Sequence, residues 1–281
     1  MHMRGNEGRL SVFEEVEVKK RETTRRERRR TLRRKTLSVL GGGVCWYVLS
    51  HTVVPLVPDP IVTISRSLYV IQQPWYYESI GYSIFRVFGG FLLGAAVGVP
   101  LGLMIGWNRI VHDFIFPTFE VIRPIPPISW VPLSLLMFVY VELSIMWLPF
   151  MGALSSLLLN AKLGAEQIDP SLFRAAQCLG ARPHQIFRHI VLPGALPAIF
   201  TGFTIGMGAA WMTVVGAEMI AGEYGIGYLV WQSYNLIRYH ECILAMVTIG
   251  LLGYGSSAMI RLLGNKFLAW KKVYTTWDIK R

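Results

Sequence analysis

Charge is scarce in this chain. Only 16% of its 281 residues are Asp, Glu, Lys or Arg, against about 25% in an average soluble domain. By contrast 53% are hydrophobic and mean hydropathy is +0.42. A soluble fold covers itself with polar side chains that this sequence lacks; a bilayer removes the need. Cysteine is scarce too. Cys45, Cys178 and Cys242 lie far apart with no CxxC spacing, so they read as small apolar residues and exclude a disulfide frame. The six histidines are scattered, and His184 and His189 are spaced so that they do not share a helix face; no metal site is expected. There is no GxxxxGK(S/T) phosphate loop, so the chain is not expected to hydrolyse ATP. No HExxH and no nucleophile–base pairing stands out, so it is not expected to be an enzyme.

The net charge of +11 is concentrated. Residues 19–35 hold eleven Lys/Arg and two Glu, which suits a cytoplasmic tail beside anionic lipid better than a nucleic-acid surface. Elsewhere the chain is nearly neutral and breaks into runs without formal charge. A crossing helix needs about 20 apolar residues, and six runs qualify or nearly so: 36–58, 87–108, 124–141, 143–161, 189–217 and 242–260. The first is too long for a signal peptide and lacks a small-residue cleavage site, so it reads as a retained helix. With the N-terminus inside, the segments 1–35, 109–123, 162–188 and 261–281 hold 25 Lys/Arg, and the outside segments hold only Arg66, Arg86 and Arg238. That asymmetry predicts an all-α membrane protein of about six transmembrane helices with both termini cytoplasmic.

Within the second run Gly90, Gly94, Gly98, Gly102 and Gly106 recur every four residues. They form one smooth stripe against which another helix can pack closely; Pro100 should bend that helix. The third run opens on Arg123-Pro-Ile-Pro-Pro and continues to Pro132, so it cannot be regular throughout. Irregular backbone at membrane depth needs protein or a water-filled cavity around it; an interfacial loop is the alternative. In the fifth run Pro193 and Pro197 suggest an interfacial elbow, with the helix proper from about 198 to 219.

The loop 162–188 is the most informative stretch. Asp169 can cap a helix with Pro170 at its first position. A short helix over 171–179 should follow, and Gly180 should end it in a left-handed turn. The motif Arg174-Ala175-Ala176, three residues, Gly180, nine residues, Ile190, Val191, Leu192-Pro193 resembles the cytoplasmic signature of ATP-binding-cassette importer permeases, except that Arg174 stands where the family usually has Glu. Further pieces resemble the nitrate, sulfonate, taurine and bicarbonate branch: Pro58-Asp59-Pro60, Arg123 to Pro132, Ile168-Asp169-Pro170, Ala217-Glu218-Met219 and Gly225-Ile-Gly227-Tyr-Leu-Val-Trp231.

The resemblance implies a MetI-like type I importer permease fold in a bacterial inner membrane. Its parts would be a basic tail 1–35, a transmembrane permease domain 36–270 with the coupling loop 162–189, and a C-terminal tail 271–281. It implies a homodimer, two cytoplasmic ATPase subunits that carry ATP and magnesium, and a periplasmic or lipid-anchored binding protein. No cofactor is expected on this chain itself. ATPase coupling would fall to Arg174, Ala175, Ala176, Gly180, Ile190, Leu192 and Pro193.

Glu218, near the outer end of the fifth run, is a functional candidate because ionisable groups at membrane depth are costly. It reads as a structural or gating group bonded to the glycine-rich loop that follows, or as an interfacial Glu. Met219 and Arg123 are further pathway candidates. Trp211 and Thr213 either line a path or pack the core. Arg86 either greets an anion or snorkels to the interface, the second being preferred. A stand-alone secondary transporter is the rival function; it should show an internal repeat and buried coupling groups, and neither is visible.

Overall fold

The computed structural model describes residues 58–268 continuously, preceded by 34, 37–38, 41–48 and 50–52. The tail 1–35, apart from Arg34, and the tail 271–281 lie outside the described residues. The chain divides into two units, 1–64 and 65–281. In the first, residues 41–48 are helical. Asp59 of the Pro-Asp-Pro motif caps the next helix, accepting from the Ile61 N–H at 2.7 Å. That helix, α1, spans Pro60–Ile71.

The larger unit is built on four helices long and apolar enough to cross a membrane: α2 (Pro74–Trp107), α5 (Val141–Glu166), α7 (Leu192–Ala221, continuous with helical backbone from Pro183) and α9 (Tyr239–Phe267). Between them lie α3 (Arg109–Ile122), a 3-10 turn at Pro127–Trp130, α4 (Val131–Met137), α6 (Pro170–Cys178) and α8 (Ile226–Asn235).

The glycine stripe is the seam between α2 and α5. A Cβ at Gly90 would fall 2.7 Å from the Met146 carbonyl, one at Gly98 3.2 Å from the Leu154 carbonyl, and one at Gly106 2.6 Å from the Lys162 carbonyl. Numbers rise together on both helices, so α2 and α5 run parallel. Chain continuity then requires 109–140 to travel back the length of the bundle, and it does. Phe116 sits under the Lys162 ammonium, 4.2 Å from its ring centre, and the Ser134 carbonyl accepts from Ser144 Oγ at 3.1 Å. Lys162 and Ser144 are about 27 Å apart along α5 at 1.5 Å per residue.

This corrects two expectations. The segment 109–123, expected to lie inside between two spans, is helical over Arg109–Ile122 and forms the first half of the return traverse. The run 124–141 is not a crossing helix: its helical part, 127–137, is only about 16 Å long, against a hydrocarbon core of about 30 Å. The prolines split the traverse at 123–126 instead.

Other limits shift for related reasons. The second run begins at Pro74, not 87, because Arg86 is buried inside α2 rather than marking its end. No elbow separates Pro193 and Pro197 from the fifth helix. Pro193 has no N–H to offer the His189 carbonyl, and the backbone adjusts by one π turn, Phe187–Val191, with the Leu192 N–H bonded to the Phe187 carbonyl. The helix therefore runs unbroken from 183 to 221. α7 packs antiparallel to α5, with Gly164 facing Ala195 and Gly206 facing Ala153. It also packs antiparallel to α9, where the Trp211 indole donates to Ser256 Oγ at 3.0 Å.

Candidate functional site

Two constellations occupy opposite ends of the bundle. At the end shared by Trp107, Glu166 and Pro183 sits α6. The Asp169 carboxylate accepts from the Ser171 N–H at 2.8 Å, and that bond holds its pKa below the ordinary value. The C-terminus closes by a double bond pattern: the Ala181 N–H to the Ala176 carbonyl and the Gly180 N–H to the Gln177 carbonyl, both 3.0 Å. Gly180 adopts φ +77°, the left-handed geometry this closure requires. Phe173 packs on the cluster of Leu103, Ala161 and Val191 and anchors the helix. No residue of α6 is buried.

Arg174 and Ala175 are exposed and Ala176 is half-buried, while Leu172 and Leu179 stand 51% and 88% exposed. Ile190 is half-buried beside the fully buried Val191, and Leu192 and Pro193 are at the surface. The loop is thus a stub bonded at both ends, with one face on the bundle and the other unpartnered among the described residues.

At the opposite end, four elements meet on Arg86, which is 1% exposed. Its Nε and Nη2 donate to the two oxygens of Glu142, at the start of α5, at 2.7 and 2.6 Å. Its Nη1 donates to Glu218 Oε1 at 2.9 Å and to the Tyr224 carbonyl at 2.6 Å. Glu218 is fully buried and also accepts from Ser83 Oγ at 2.8 and 2.9 Å and from the Gly227 N–H at 2.9 Å. Ser83 Oγ accepts from the Ile226 N–H at 2.8 Å. Gly225, at φ +119°, lies so close to Glu218 that any Cβ would strike its carboxylate.

Glu218 is therefore bonded to the glycine-rich loop, one of the two readings its sequence allowed. The preferred snorkelling of Arg86 is overturned: two carboxylates and a carbonyl draw it into the protein. Glu142 and Ser83 carry no local sequence signal; only their partners, far away in the chain, give them meaning.

Of the remaining candidates, Trp211 is buried in the chain's own core. Thr213 is half-buried between α5 and α7, beside Gly152. Met219 is half-buried. Arg123 is exposed at the break after α3 and lines a cavity of about 560 Å³ between α3, the 3-10 turn and α5. The structure does not bring Arg123 to Glu218; they belong to separate places.

Residues 98–267 match the family described as the inner membrane component of binding-protein-dependent transport systems, and this stretch contains α6, the π turn and α7. The chain belongs to that family. This permease is 40% identical over 192 residues to a protein of Methanocaldococcus jannaschii described as an ABC transporter permease, covering 68% of this chain and 72% of that one. It is 32% identical over 219 residues to the nitrate import permease of Synechocystis, covering 75% and 80%. Among solved structures, an inward-facing MetNI methionine ABC transporter superposes with a TM-score of 0.58 at 18% identity, covering 68% of the permease and 95% of that chain. That likeness concerns the fold. The protein is thus a multi-pass ABC importer permease of the all-α, MetI-like kind.

Proposed function

We propose that this permease carries a small anion of the nitrate, bicarbonate, taurine or alkanesulfonate class, delivered by an external binding protein. In this reading it works as a homodimer with two cytoplasmic ATPase subunits in the cell membrane. α6 fits a groove of the ATPase: its free face offers Leu172, Arg174, Ala175 and Leu179, and its two small alanines permit close approach. Because Asp169, Gly180 and Phe173 fix α6 to the bundle, movement of the ATPase is transmitted to α5 and α7 rather than absorbed in a loop. The observation that carries the reading is this stub, capped at both ends and with an outer face unpartnered among the described residues, inside the matched family region. The excess of Lys/Arg on segments at the α6 end supports placing that end in the cytoplasm.

Arg174, in place of the usual Glu, would meet an acidic residue on the ATPase. The test is uptake into liposomes containing the assembled complex and its binding protein. ATP-dependent accumulation of one such anion, lost on Gly180→Val while the complex still assembles, is expected. Uptake by this chain alone, driven by an ion gradient, would contradict the proposal.

A further inference from the structure

A cleft between α7 and α9 opens at the α6 end of the bundle. The two helices run antiparallel, with Phe200 against Gly264 and Trp211 against Gly253. Thr201, Ile205, Gly208 and Met212 recur at helical spacing along one side of α7, and Tyr254, Ala258, Arg261 and Asn265 do so along α9. Thr201, Thr204, Ile205, Arg261 and Asn265 line one cavity of about 340 Å³, so the two rows flank the same cleft. Arg261 stands about 9 Å from the end of α9 and lies over the Tyr254 ring, 5.6 Å from its centre. Among the described residues neither its guanidinium nor the Asn265 amide has an ion-pair or hydrogen-bond partner, and no acidic side chain lines the cavity. The Thr201 and Thr204 hydroxyls each donate to the carbonyl four residues earlier at 3.0 Å, which leaves their oxygens free to accept. Away from the cavity the rows turn apolar: Ile205, Met212, Leu251 and Tyr254 are exposed, and a Cβ on Gly208 would meet nothing within 4 Å.

We propose that this cleft seats an anionic phospholipid of the phosphatidylglycerol kind. The phosphate sits on Arg261 and Asn265, the headgroup hydroxyls on Thr201 and Thr204, and an acyl chain along Ile205, Gly208 and Met212. The inference goes beyond the importer reading and rests on the membrane spans alone. A guanidinium fork and an amide donate to phosphate oxygens, and the glycerol hydroxyls supply the donors that the two threonine oxygens accept. A choline headgroup would bring a second cation beside Arg261 and no hydroxyl. A small free anion would leave the apolar row uncovered. A second copy of the chain is a poorer occupant. An isologous contact through this face would set it against itself, and neither α7 before Glu218 nor α9 after Glu241 carries an acidic residue to pair with a buried Arg261.

The full complex is titrated in mild detergent with phosphatidylglycerol, with phosphatidylcholine and glycerol 3-phosphate as comparators, and bound lipid is counted by native mass spectrometry. One phosphatidylglycerol per permease copy is expected, held about fivefold more tightly than phosphatidylcholine, the scale of one basic residue at an anionic membrane surface. Arg261→Gln, at an exposed position, should bring phosphatidylglycerol down to the level of phosphatidylcholine. Gly208→Leu, which fills the apolar row, should weaken both lipids alike. The basic tail is present in every variant, so its own lipid contacts cancel in the comparison. Equal binding of the two lipids, a preference unchanged in Arg261→Gln, or displacement by glycerol 3-phosphate at similar concentration would overturn the site. So would a photo-cross-linker at Ile205 that joins two permease copies instead of capturing lipid.

Discussion

Replacing Arg86 with methionine would leave two carboxylates facing each other around an apolar side chain. Glu142 is 45% exposed and can turn to water, but Glu218 is fully enclosed. It would keep its bonds from Ser83 and Gly227 and lose the cation it pairs with. Removing one partner of a buried ion pair costs about 3–5 kcal/mol, and we expect Arg86→Met to fall in that range. Glu218→Gln removes the buried charge but leaves an amide N–H₂ with only the Ser83 hydroxyl able to accept, since Arg86 and the Gly227 N–H only donate, at a cost of about 1–3 kcal/mol. In the double variant the buried charge is gone along with its partner, so the loss should be clearly smaller than the sum, with a coupling of about 1–3 kcal/mol. Arg86→Lys keeps the charge but not the fork that reaches Glu142, Glu218 and the Tyr224 carbonyl together, and should lie between wild type and Arg86→Met. Reversible unfolding of the five proteins in mixed detergent measures these differences. Additivity within about 0.5 kcal/mol would refute the view that Arg86 and Glu218 form one unit.

Other consequences can be checked separately. Gly180→Val forces a branched residue into φ +77°, costing roughly 1–2 kcal/mol; ATP hydrolysis in the complex should persist while uptake falls. Gly98→Leu should prevent stable folding, because its side chain would enter the α2–α5 seam, whereas Gly208→Ala, with open space around it, should be neutral in the same unfolding assay. Arg174→Glu should weaken co-purification of the ATPase if an acidic residue faces it. Asp169→Ala should raise amide exchange at Ser171 and Leu172, whereas Asp169→Asn, also a good cap, should not. Because its carboxyl titrates below its ordinary value in the folded chain, the cap is complete at neutral pH. It is lost only as pH falls through that lowered pKa, with no loss toward alkaline pH.

Features set by neighbours in sequence were legible before the fold was known. The glycine stripe needs only a four-residue period, and α6 is framed by Asp169-Pro170 and Gly180, whose effects are local. Helix limits are less legible because a formal charge need not mark a helix end. Arg86 breaks that rule: Glu142 and Glu218 lie 56 and 132 residues away, and no local pattern reveals such partners. The prolines of 123–132 announced an irregular traverse but not its extent. That emerges only from the parallel packing of α2 and α5, which obliges 109–137 to cross back. Pro193 signals a break in sequence, yet a π turn accommodates it without breaking the helix.

The most direct measurement of the central claim is gentle detergent purification of the chain from its native membranes, with mass spectrometry of what accompanies it. An ATPase subunit in near-equal amount, weakened by Arg174→Glu but retained by Gly180→Val, is the predicted result. A chain that purifies alone in mild conditions, and still moves its solute when reconstituted, would contradict it.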